Sequence, residues 1–378
     1  MDRKEAIIHF KENVANEQIN FTIEAFHKEF KSKRELFCKK LVDGFEQLVQ
    51  MIKESGDTTP IAFVQYSFLQ ADIINGTYQW VIEAKDKNHY LDKKERMLIL
   101  DMKEFFQVFE DLEVRMKKES AKYIGNLYEG DIQPYKLQAF QSCVGWFYLA
   151  GSYAFRNIRQ NSYYQQLDKC QVFQVTLGGY MDKIQIIHVQ SKLNEEEAKL
   201  SLYRPQDALY LKENTYIYQD FSNIVWKEEG KRVDCKNLMF TCFQECRIRY
   251  HLFMFTNFIG ASFQNSRIDD SSFIGNTFQQ SDFTGATLCF CDMHTSMFYG
   301  GEYVDGQITP GIYPVSFRGS RLEHVNFSYA DLRECDFTDA WMEDVIFDSA
   351  KLNGTKIPAG YKGKLHLSES QLQEVKWV

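Results

Sequence analysis

At 378 residues with 44% apolar content, the chain has room for two or three domains with sizeable cores. A formal charge of −8, spread as mild acidity, excludes the basic surface that holds polyanions, so direct nucleic-acid binding is not expected. No signal peptide is expected before the first charged helix, and no apolar run reaches membrane length. The nine cysteines are an odd number, and a reduced cytoplasmic setting is expected.

Residues 3–55 carry Ile7, Phe10, Val14, Phe21, Phe26, Phe30, Phe37, Leu41, Phe45, Leu48 and Ile52 at spacings of three to seven, which predicts helix with a break near Asn16 or Asn20. Thr58-Thr59-Pro60 reads as a helix start, with Asn75-Gly76 as its end. Tyr78, Trp80, Ile82 and Ala84 alternate with polar residues and predict a short strand. Leu91–Tyr123 and Asp131–Arg159 then read as long helices, the second dense in aromatics. Residues 1–160 are therefore expected to form an α-helical bundle.

The texture changes at Gln171–Val189, where two apolar runs flank Gly178-Gly179 and predict a β-hairpin. Glu195-Glu196-Glu197 reads as a turn or short helix start, and Leu200–Tyr203, Ala208–Leu211 and Tyr216–Tyr218 read as short strands. Residues 161–235 are expected to form a small β-rich connector.

From residue 236 to 357 a large apolar residue returns every fifth position. Leu238, Phe243, Ile248, Phe253 and so on to Phe298 and Tyr303 hold one frame. Phe317, Leu322, Phe327 and so on to Leu352 and Ile357 hold a second. A small residue, such as Cys246, Ala261, Ser266, Cys291 or Cys335, sits two positions before most of them. A period of five fits neither helix nor flat strand and requires a repeat architecture. The simplest solution is a coil with sides about five residues long, its backbones stacked at about 4.8 Å.

Ala330-Asp331-Leu332-Arg333-Glu334 and Ala261-Ser262-Phe263-Gln264-Asn265 resemble the unit of the pentapeptide-repeat family. The resemblance implies a right-handed quadrilateral β-helix with four repeats per turn, about six coils and roughly 27 Å long. The whole chain would then be an α+β multidomain protein. The second frame starts one residue early, which places a slip near Pro314. Val304–Ser316, with Gly306, Pro310, Gly311 and Pro314, reads as a bulged side or a projecting loop. Residues 358–378 are expected to close the last coil. Pro358 and Gly360 stop the ladder, and Ser368-Glu369-Ser370-Gln371 is a capping box opening a short helix.

No metalloprotease, phosphate-loop, dinucleotide or nucleophile-elbow motif occurs. Cys235, Cys242, Cys246 and His251 are close in sequence, but the repeat frame sends them in different directions, so no metal or cofactor is expected. Catalysis is not expected either. Two surfaces stand out instead. Glu323, Asp331, Glu334, Asp336, Asp339, Glu343, Asp344 and Asp348 form an acidic run that is either a partner-binding face or an ordinary solvated one. Met239, Phe240, Leu252, Met254, Phe255, Ile259 and Ile274 take outward positions in the first coils, and a patch of this kind marks an interface. It would meet the amino-terminal region, a second copy in a homodimer, or a foreign protein. The expected function is non-enzymatic protein binding. A DNA-mimicking role on a type II topoisomerase, known in the family, is one alternative. A toxin- or enzyme-like helical domain docked through its repeats is the other.

Overall fold

The structure, a computed structural model, describes residues 2–190, 217–226, 230–300, 303–304, 307–308 and 311–378. The turn expected at Glu195–Glu197 and the strands expected at Leu200–Tyr203 and Ala208–Leu211 lie outside the described residues, as does the start of that at Tyr216–Tyr218. Two compact units are present: Met1–Val189 with Tyr303–Gln307, and Gln190–Glu302 with Ile308–Val378.

The first unit opens with α1 (Arg3–Phe10), capped by a box in which the Asp2 carboxylate accepts from Glu5 N. A π-helical turn, Lys11–Ala15, leads into α2 (Asn16–Glu54), whose buried stripe runs from Ile19 to Ile52. The break expected near Asn16 or Asn20 does not occur, because the backbone stays helical through Ala15 and Asn16.

The region is not a pure helical bundle. The helix expected after Thr58-Thr59-Pro60 is β1 (Ile61–Phe68), buried along nearly its whole length. An eight-residue apolar run is ambiguous between helix and central strand, and here tertiary pairing decided for strand. The expected cap pair is present, since Gly76 ends α3 (Gln70–Asn75) at φ +68°. The alternating stretch is β2 (Gln79–Lys85), antiparallel to β1. The helix expected from Leu91 begins only later: β3 (Met97–Asp101) pairs with β2 first, then α4 (Gln107–Ser120) follows. α5 (Glu129–Phe155) is the second long helix, and α6 (Ser162–Gln166) is a short one.

The hairpin is present as β4 (Lys169–Gly179) and β5 (Ile184–Gln190), but it does not belong to a separate connector. β4 pairs parallel with β1, giving a sheet in the order β3-β2-β1-β4-β5. Its turn demands glycine, because a Cβ on Gly178 would lie 2.3 Å from Lys183 O. The helices bury aromatics against the sheet. Phe37, Phe106 and Phe147 all lie within 6.1 Å of the Trp80 ring, and Tyr66 Oη donates to Leu41 O at 2.7 Å. The layout is α+β: a helical amino-terminal region with its sheet, then a repeat region of parallel strands.

In the repeat region each residue pairs with the one twenty positions on. Arg247, Ile248 and Arg249 of β8 (Arg247–Arg249) face Arg267, Ile268 and Asp269 of β10 (Arg267–Asp269), and these face β12 (Thr287–Cys289). Four such parallel ladders run side by side, through Asn237, Cys242, Arg247 and Leu252 and their partners. Every fifth side chain is thereby buried, and those one full turn apart stack in a column. Phe243, Phe263, Phe283, Phe317 and Phe337 stack at 4.7–4.9 Å between ring centroids.

Three boundaries differ from the expectation. The ladder starts before residue 236, with Asp220 opposite Cys242 and β6 (Val225–Trp226) opposite Arg247–Ile248. Here the pairing offset is 22, because the first turn holds two extra residues, and the five-residue frame hides it. The first frame ends at Phe298, not Tyr303: Met297 pairs with Asp331 and Phe283 stacks on Phe317. The slip is therefore not confined to Pro314. Fourteen extra residues leave the ladder between Phe298 and Phe317, and within them Tyr303–Val304 pairs with Gln307–Ile308. The return of this excursion is fixed by Ile312 N donating to Gln280 Oε1 at 3.0 Å.

The carboxyl end behaves as its capping box predicts. Ser368 caps the helix Glu369–Glu374, and Gln371 Nε2, buried, donates to Phe347 O and Ala350 O at 2.8 and 2.9 Å. Lys376–Trp377 then pairs parallel with Lys356–Ile357, covering the ladder edge.

Candidate interaction surface

Between the ladders the chain turns at a residue with positive φ. Phe258 O accepts from Ala261 N at 2.9 Å around Gly260 at φ +67°, and the pattern recurs at Gly285, Gly319 and Gly354. At many equivalent turns the residue is not glycine. Phe240, Tyr250, Phe255, Phe290 and Tyr329 all adopt φ between +50° and +62°. A bulky side chain in this region costs about 1–3 kcal/mol, which glycine avoids and asparagine or aspartate lessens. Sequence reading missed this, although the signal existed: these residues lie two places after each inward residue, where glycine recurs.

One ladder gathers these aromatics. Its strands include β9 (His251–Met254) and β11 (Ser272–Ile274), continuing through Asp292, Asn326 and Ile346. Tyr250 and Phe290 stand at the turn before it, Phe255 and Tyr329 at the turn after it. Phe255, Phe290 and Tyr329 are 64%, 57% and 68% exposed. The Phe290 ring stacks on His324 at 4.5 Å, and His324 Nδ1 lies 3.4 Å from Asp344.

The seven residues of the expected apolar patch divide between two ladders. Leu252, Met254 and Ile274 are half-buried on the one just described, with Phe255 at its edge. Met239, Phe240 and Ile259 belong to the next, where Met239 is half-buried while Phe240 and Ile259 are buried. Tyr218 stacks on Phe240 at 5.5 Å, and Gly260 lies beneath it so closely that a Cβ there would sit 2.2 Å from its ring.

The acidic run does not form one face. Glu323 and Glu343 are direct neighbours, as their spacing requires, with Asp344 at the following turn. Asp348 lies on the next ladder, Asp331 and Glu334 on the third, and Asp336 and Asp339 on the fourth, because the chain rounds the coil as the acids succeed one another. Bases take up many of them. Arg321 lies 3.1 Å from Glu323, Arg333 2.7 Å from Asp331, and Arg318 3.9 Å from Asp339. Asp336 is held between Arg318 and Lys356 at 3.3 and 3.2 Å. Burial would raise its carboxyl, but hydrogen bonds from Thr338 and Lys356 outweigh this and hold it below the ordinary range.

Arg249 and Asp269 face each other in register, but the guanidinium turns to Asp270 at 3.2 Å while Asp269 takes Arg267 at 2.8 Å. Cys246, Cys291 and Cys335 are buried fillers, and burial pushes the first two thiols up to about 12. His251 is buried too, its Nδ1 2.7 Å from Arg249 O. Among the described residues no group of three or more His, Cys, Asp or Glu is placed to hold a metal ion. The charges buried in the first unit are matched. Lys136 lies 2.7 Å from both Glu110 and Glu113, and Arg96 2.6 Å from both Asp57 and Asp92.

No curated protein matches the sequence. Among solved structures, similarity is found to full-length QnrB1, a plasmid-mediated fluoroquinolone resistance protein, at 14% identity over 38% of this chain and 96% of that one, with a TM-score of 0.14. The repeat protein Rfr23 of the cyanobacterium Cyanothece 51142 aligns at 11% identity over 39% and 95% of the two chains, TM-score 0.17. HetL of Nostoc sp. strain PCC 7120, involved in heterocyst differentiation regulation, aligns at 10% over 38% and 90%, TM-score 0.12. The family model described as pentapeptide repeats matches eight copies, over residues 252–294 and 315–356. Over those two stretches the chain is built of pentapeptide repeats.

Proposed function

We infer that this is a non-enzymatic binding protein whose repeat unit presents a protein-binding face: the ladder through Leu252, Ser272, Asp292, Asn326 and Ile346, with its aromatic edges. The observation that carries this reading is the exposure of Phe255, Phe290 and Tyr329 at positive φ. Each costs backbone strain and apolar hydration, which the contacts of Phe255 with Gly275 and of Phe290 with His324 offset only in part. Exposed aromatics on a rigid frame are the residue type that dominates protein interfaces. The 20-residue register supports four ladders closing into a right-handed four-sided β-helix, which would fix the spacing of these rings. Nine free thiols support a reducing, cytoplasmic setting. Among the described residues no helix is long and apolar enough to cross a membrane.

The acids, spread over four ladders and largely ion-paired, weigh against DNA mimicry, which needs unscreened charge on one face. A photo-crosslinking phenylalanine analogue placed at Phe290 or Tyr329 should capture a partner that the same group at Asp339, on another ladder, does not. Equal capture from all three positions would remove this face from consideration. In a supercoiling assay the protein should leave DNA gyrase unaffected.

A further inference from the structure

The pairing of β1 with β4 slips at its start. Ile61 lies opposite Lys169 but Phe63 lies opposite Gln174, so two steps along β1 match five along β4. The surplus residues of β4 bulge from the ladder, and a pocket of about 640 Å³ opens beside them. Bulges of this kind re-aim side chains next to binding sites. The volume falls within the ~300–1,000 Å³ of small-molecule sites. It has room for roughly twenty non-hydrogen atoms at ~30 Å³ each.

Its chemistry is defined. Pro60, Phe63 and Val172 supply an apolar wall, and two ammonium groups stand against one carboxylate. That carboxylate, Asp86, accepts from Asn88 N at 2.7 Å and Asn88 Nδ2 at 3.0 Å, and so serves its own turn. Lys169 is also engaged: its ammonium donates to Tyr164 O and to Leu167 O, and lies 4.4 Å from the Tyr164 ring centroid. Lys87 makes no hydrogen bond or ion pair among the described residues. An apolar wall, a surplus of positive charge and one unengaged ammonium are complementary to an apolar molecule with a single anionic group.

We propose that this pocket binds a small carboxylic acid with an apolar body of about ten carbons. Lys87 takes the carboxylate, and Pro60, Phe63 and Val172 take the body. The site is independent of the repeat unit's aromatic face, and its success or failure leaves that reading untouched.

Decanoate, below its micelle concentration, is the probe, with 1-decanol as its uncharged match, titrated calorimetrically into the full chain. Decanoate should saturate at one site. Lys87→Glu should weaken it at least tenfold while leaving 1-decanol within twofold of wild type. Gln171→Trp, an exposed lining residue enlarged to close the pocket, should abolish binding of both. Both substitutions are at exposed positions, and an unchanged circular-dichroism melt verifies their folding. Cys170 lines the same pocket, so saturating decanoate should slow its alkylation by iodoacetamide but not that of Cys235, an exposed thiol in the repeat region. Non-saturable decanoate uptake overturns the proposal, as does a Lys87→Glu protein that binds it like wild type or a Cys170 rate unmoved by ligand.

Discussion

Phe273→Ala tests whether the five-residue frame carries the stability of the repeat unit. The ring is fully buried and lies flat against Phe253 at 4.6 Å, with Phe258, Phe263 and Phe278 within 6.3 Å around it. Truncation removes the transfer free energy of the ring and leaves a cavity that a column with flat-stacked rings cannot close by small shifts. Such a change costs about 3–5 kcal/mol. With a urea slope of ~1–3 kcal/mol/M, the midpoint should fall by about 1–3 M or more. Because each turn contacts only its neighbours, the transition should also broaden as the two halves uncouple. Phe255→Ala is the control, since the same residue type, only eighteen positions away, is largely exposed. It should change stability by no more than about 0.5 kcal/mol. Equal shifts for the two variants would refute the inward–outward assignment on which the surface argument rests.

In the first unit, Lys136→Met should cost about 1–3 kcal/mol in urea unfolding, because Glu110 and Glu113 lose their buried cation and keep only the Tyr78 hydroxyl and the exposed Lys117. Adding Glu113→Gln should restore part of the loss, and no restoration would mean the cost is steric. Gln371→Leu should cost about 1–3 kcal/mol by leaving Ala350 O without its donor and removing the second donor of Phe347 O, which keeps Ala350 N. A thermal melt matching wild type would show that Gln371 does not close the final turn. Asp336 has a folded pKa below its unfolded value of about 3.9, so its contribution is present above pH 5 and is lost as pH falls through the folded value. Asp336→Asn should therefore be less stable than wild type by roughly 1–3 kcal/mol at pH 6, with the gap narrowing below pH 4. A gap that does not change with pH would separate the defect from the carboxylate charge.

The period of five made the repeat region legible at once, because a residue that must enter a narrow shared column has little choice but to be apolar and of one size. The capping box at Ser368 and the glycine end of α3 were equally plain, since both depend on hydrogen bonds within a few residues. The candidate surface was only half legible. Outward apolar residues such as Leu252 and Ile274 could be counted, but not the positive φ of Phe290 or Tyr329, which follows from turn geometry repeated along the ladder.

Sequence by itself thus determined which side chains face inward from Leu238 to Phe298 and from Phe317 to Ile357, since the frame and the burial are the same pattern. Only tertiary structure decided whether Ile61–Phe68 and Met97–Asp101 became strand or helix, because short apolar runs satisfy either period and their partners lie elsewhere in the chain. It also decided that the eight acids scatter around the ladders. Closeness along a chain that turns every five residues is not closeness in space, whereas residues twenty apart are neighbours through the backbone hydrogen bonds of adjacent turns.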